Sequence, residues 1–124
     1  MAVKHKQIKR CKMIMQSMQK DHGIGPGTLF VFKDALYVNK YNVDIDERNV
    51  VTSAPSRRYF ASHKIEPEQP MLFVDVVYDP HMRNHLLRFL HKEEMVAIVF
   101  KKGETIKKLR NKIANEPSDE SDDK

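Results

Sequence analysis

Cysteine is all but missing from this sequence: Cys11 stands alone among 124 residues, and there is no tryptophan. A single thiol forbids an internal disulfide and cannot build a cysteine zinc site, which agrees with a reducing compartment; Cys11 reads as a small buried apolar residue on a helix. No stretch reaches the roughly 18 apolar residues of a membrane-spanning helix. The N-terminal charges lead into no apolar segment with a small-residue cleavage site, so no signal peptide is expected and a cytoplasmic location is. Catalytic constellations are missing as well. No Ser-His-Asp set stands out, and Asp75, Glu66 and Glu68 lie in or beside strands with nothing aiming them at one substrate. Neither enzymatic activity nor a cofactor is expected.

What the chain does have is segregated charge, hidden beneath a net value of +5. Before Asp21 there are six bases (Lys4, Lys6, Lys9, Arg10, Lys12 and Lys20) and no acid. Between Lys101 and Lys112 there are six more (Lys101, Lys102, Lys107, Lys108, Arg110 and Lys112) against Glu104 alone. Residues Glu116 to Lys124 reverse the sign to −4, which leaves +9 on the rest. Cationic ends point to phosphate-bearing partners, with an ordinary solvated surface as the bland alternative.

This length fits one domain with extensions. Residues 1–22 form a basic amphipathic helix, 23–103 a β-rich core, 104–114 a second basic helix, and 115–124 an acidic tail too polar to order itself. In the first helix Ile8, Cys11, Met15 and Met18 recur at i, i+3, i+7 and i+10 with Ile14 beside them, a stripe that docks on the core. In the second, Ile106, Leu109 and Ile113 do the same. GIGPG, from Gly23 to Gly27, stops the first helix. That loop lies between helix and strand, the reverse of a P-loop, and no Lys-Ser/Thr pair follows it. TLFVFK (Thr28 to Lys33) and ALYV (Ala35 to Val38) read as strands, joined by a tight hairpin or by a bulge in one long strand. Short strands around Val50-Val51 and Tyr59-Phe60 interrupt the polar stretch that ends at Pro70. Its Asp44, Asp46 and Glu47 lack the glycine and final glutamate of a calcium loop and read as a solvated turn.

The core is built between Met71 and Phe100, where the most apolar runs, MLFVDVVY and MVAIVF, read as buried strands. The residues between them admit two readings. Asp79 as N-cap, Pro80 at N1 and a stripe of Met82, Leu86 and Phe89 give a helix and hence a β-α-β unit, which the propensities of Leu and Arg favour. Alternatively His85 to His91 is a strand and Lys92-Glu93-Glu94 a hairpin turn. The order GTLFVFKDALYV, a polar excursion ending in Pro70, MLFVDVVYD, HLLRFLH, KEE and MVAIVFKKG resembles the small SH3-like barrel proteins among the accessory genes of tailed phages, over Gly27 to Gly103. That resemblance favours the strand. It implies a phage-encoded, non-catalytic binding module in the host cytoplasm, directed at nucleic acid or host machinery. The expected fold is therefore α+β: a small, mostly antiparallel sheet or SH3-like barrel with amphipathic helices at both ends, or, alternatively, a sheet containing a β-α-β unit at 71–100.

His81 and His85 stand four apart with Asp79 and His91 nearby, a spacing that suits a metal on a helix face. The glutamate of HExxH is absent and no third ligand is convincingly spaced, so no metal site is expected. In Ser56-Arg57-Arg58-Tyr59-Phe60 the guanidinium groups suit phosphate and the rings suit base stacking; a packed rim strand is the alternative. The candidate nucleic-acid-binding residues are Lys9, Arg10, Lys12, Arg57, Arg58, Tyr59, Lys107, Lys108, Arg110 and Lys112. The expected function is binding of DNA or RNA through the terminal helices and the Arg-Arg-aromatic loop. The alternative is a protein-interaction module that acts as inhibitor or adaptor of a host enzyme. The nucleic-acid reading requires the two basic segments to be adjacent in space.

Overall fold

A computed structural model describes residues 3–53 and 62–112. The chain runs α1 (His5–His22), β1 (Leu29–Val31), β2 (Leu36–Lys40), β3 (Ser62–Ile65), β4 (Pro70–Asp79), β5 (Asn84–His91), β6 (Glu94–Val99) and α2 (Glu104–Lys112). All six strands join one antiparallel sheet in the order β1-β4-β5-β6-β2-β3. The apolar stripe of α1 buries Cys11, Ile14 and Met18. Gly23 ends the helix in the left-handed region at φ 67°, where a side chain would be strained, and its N–H with that of Ile24 reaches back to the carbonyls of Gln19 and Met18.

β1 and β2 do not pair with each other, so the hairpin option fails and the long interrupted strand is the better description. Leu29 faces Leu72, and ten residues later Asn39 faces Ser62, ten residues earlier on the opposite chain. β1–β2 and β3–β4 are therefore one antiparallel ribbon in unbroken register. Both chains bend together near Phe32 and Glu68, which the Glu68 N–H to Phe32 C=O bond holds at 2.7 Å. Buried Phe30, Phe32, Leu36 and Val38 keep one pleat phase through the bend.

This ribbon forces the sheet to curl. Val31 to Leu36 spans at most about 18 Å, whereas four flat interstrand spacings between β1 and β2 need about 19 Å. Contacts between strands that are not neighbours confirm it: Phe30 on β1 lies edge-on to Phe89 on β5 at 5.7 Å, and His63 on β3 meets His91 on β5 at 2.9 Å. The sheet nevertheless remains open, with β1 and β3 as its edges. The closed SH3-like barrel is not what the pairing describes.

The β-α-β alternative at 71–100 is overturned, because Asn84–His91 is a strand paired on both sides. Asp79 does start a helical turn: its Oδ1 accepts the N–H groups of His81 and Met82, and Arg83 N–H reaches the Asp79 carbonyl at 2.7 Å. Arg83 then takes φ 58° and the chain reverses. Burying Leu87 and Phe89 between two strands outweighs the helix preference of the segment.

The concave face holds the main core, with Phe30, Phe73 and Phe89 at its centre and Ile14, Met18 and Leu109 of the helices closing over it. On the convex face, the stretch from Tyr41 to Val51 covers Val77, Leu86 and Ala97 as a smaller core. Val50 and Val51 make isolated bridges there instead of a strand, and Tyr59-Phe60 lies outside the described residues. Asp46 accepts from the backbone N–H groups of Arg48 and Val50, so the acidic turn organises itself. Among the described residues no helix is long and apolar enough to cross a membrane.

Candidate ligand-binding groove

Two hydrogen-bond anchors set α1 and α2 side by side. His85, buried on β5, donates its Nε2–H to the carbonyl of Gln7 at 2.9 Å and fixes α1. Burial holds the His85 imidazole below its ordinary pKa, against the opposing effect of the Gln7 bond, and the Arg10 charge adds to the lowering. Thr105 fixes α2: its hydroxyl accepts from Lys101 N–H at 2.7 Å and donates to the Val99 carbonyl at 3.2 Å, tying the first turn to the end of β6. Gly103, at φ 78°, permits the sharp entry into the helix.

Between the two helices lies a groove of about 590 Å³. Its floor is apolar, made by Met13, Ile14 and Met18 of α1, Phe100, and Ile106 of α2. Arg10 on one side and Lys102 and Lys107 on the other bring cationic groups to the same groove, with His22 also lining it. All three cations are exposed, and among the described residues none forms an ion pair. Met13 is 58% exposed, although it sits on a helix whose apolar stripe is otherwise docked.

The expected nucleic-acid residues divide accordingly. Arg10 and Lys107 come together at the groove. Lys12 lines a separate cleft beside Glu47 and Arg48, and Lys9 is exposed without lining either. Arg57, Arg58 and Tyr59 lie outside the described residues, as do the side chains of Lys108, Arg110 and Lys112 on α2. Sequence reasoning missed Lys102, Phe100 and Met13 as site residues. Met13 carried a signal, being an apolar residue on the polar side of an amphipathic helix.

Other polar clusters are already committed to the fold. Arg88 binds Asp75 through two bonds of 2.8 Å across β4 and β5. Tyr41 donates its hydroxyl to the fully buried carboxylate of Asp79, and burial, then that bond, hold the phenol far above its ordinary pKa. Burial likewise pushes the Cys11 thiol up to about 11, so it is no nucleophile near neutral pH. His81 sits in the turn beside Asp79 while His85 points to α1, so the histidine pair does not converge. Among the described residues no group of three or more His, Cys, Asp or Glu side chains is placed to hold a metal. Comparison with protein-family models, curated proteins and solved structures returns no match, and the geometry alone carries the functional argument.

Proposed function

We propose that the protein is a non-catalytic nucleic-acid-binding module of the cytoplasm, encoded as a phage accessory protein, that contacts phosphates through α1 and α2. One observation carries this reading: cations from opposite ends of the chain, Arg10 and Lys107, which form no ion pair among the described residues, line one groove together with Lys102. Exposed Lys6, Lys9 and Lys20 extend the positive surface along α1. Such a field attracts a polyanion, and each phosphate contact releases counterions. The kinship with SH3-like folds is part of the same proposal and is supported by the curl of the sheet and the unbroken ribbon.

Charge reversal at Lys107, Lys108 and Lys112 tests it. Affinity for oligonucleotides, measured by fluorescence polarisation, falls while the thermal midpoint barely moves. Parallel loss of both would make these residues structural. A second reading, inhibitor or adaptor of a host enzyme, is favoured by the apolar floor, which phosphates do not need.

A further inference from the structure

We infer that the groove between α1 and α2 docks one amphipathic helix of a partner protein, a helix with acidic residues along both flanks of its apolar face. This rests on the second reading and not on nucleic-acid binding, although both use the same cations. Met13 is exposed and Phe100 and Ile106 are only partly buried, so the groove leaves apolar surface in water above the buried Ile14 and Met18. A site of about 590 Å³ is too large for a single anchoring side chain and suits the several that one helix presents at i, i+3 or i+4, and i+7. Methionines suit such a surface, because their flexible thioethers repack around different side chains. Arg10 on one wall and Lys102 and Lys107 on the other complete the match by demanding carboxylates on both flanks.

Other occupants fit less well. The chain's own segment from Glu116 to Lys124 has the right charge but only Pro117 as an apolar side chain to cover the floor. A second copy would bring α1 or α2, both basic, against a basic rim. Nucleic acid satisfies the rim and leaves the aliphatic floor exposed.

The test uses the full-length protein and three fluorescein-labelled helical peptides of about 14 residues, roughly four turns. They share a leucine stripe and differ in carrying Glu, Gln or Lys on its flanks. The Glu peptide binds, and the Gln peptide binds roughly ten- to a hundredfold more weakly, since three exposed charge pairs contribute a factor of about two to five each. The Lys peptide binds more weakly still. Met13→Glu, at an exposed position, weakens the Glu peptide at least as much, and so does the pair Arg10→Glu with Lys107→Glu; Lys33→Glu, in the ribbon bend, changes nothing. Thermal melts of each variant check that the fold survives. Equal binding of all three peptides, or full binding to Met13→Glu, overturns the inference. Single-stranded and duplex oligonucleotides run in the same assay separate the two readings. Oligonucleotide binding without peptide binding removes the helix-docking inference and leaves the nucleic-acid function standing; the converse removes the function and leaves the docking site.

Discussion

At the scale of single residues, several polar groups away from the groove serve the fold. His91 shows why. It is buried at the concave end of β5, where its Nε2–H donates to Gln69 Oε1 at 3.0 Å and its Nδ1 is left to accept from His63 at 2.9 Å. Burial lowers its pKa, and the neighbouring His63 and Lys92 charges add to the effect. The folded state thus favours neutral imidazoles at both His91 and His85. The unfolded chain, with histidines near their ordinary value of about 6.5, binds more protons below that pH. The resulting stability is complete above about pH 6.5 and is lost as pH falls toward the folded values. Urea melts at about pH 7.5 and about pH 5.5 should show a lower midpoint at the acidic pH, and His91→Gln should flatten the difference. An unchanged slope in that variant would show that His91 does not carry the effect. None of this was visible in the sequence, because the His63 and His91 contact depends on the curl of the sheet.

At the scale of elements, local pattern and tertiary context divide the credit. The 3.6-residue stripe located α1, and the apolar runs located β4 and β6. β5 was ambiguous for a physical reason: HLLRFLH has helical residues, and only its two flanking strands make it extended. The turn after it is equally informative. Lys92 adopts φ 57° in the two-residue connection between His91 and Glu94, a conformation that usually selects glycine or asparagine. The absence of glycine there left the hairpin as only one of two readings of the sequence. Lys92→Gly relieves the strained backbone and should raise stability by about 0.5–1 kcal/mol, net of the extra entropy of the unfolded chain. A chemical-denaturation midpoint at or below that of the parent chain would refute that expectation. The ribbon bend was ambiguous for a similar reason, since Lys33-Asp34 suits a hairpin turn and a strand bend alike.

At the scale of the whole molecule, the groove is where sequence and structure say different things about the same residues. Composition made the two basic segments legible, and periodicity placed them on helices. Their convergence was not legible, because it depends on His85 reaching Gln7 and Thr105 holding the end of β6, contacts that connect distant parts of the chain or turn on one hydroxyl. The apolar floor was hidden for the same reason: Met13, Phe100 and Ile106 come from separate elements and meet only after folding. The acidic stretch beyond Ala114 lies outside the described residues, and its charge opposes that of the groove.

The central claim, that converging cations at this groove bind a nucleic-acid backbone, is tested most directly by the salt dependence of oligonucleotide binding. Affinities of the parent chain and of the Arg10→Glu, Lys107→Glu double variant are measured across a range of salt concentrations and plotted as log affinity against log salt. The parent gives a steep negative slope, and the variant a slope shallower by roughly 0.7–0.9 for each phosphate contact removed. A flat parent curve, or identical slopes in the two proteins, would contradict the claim.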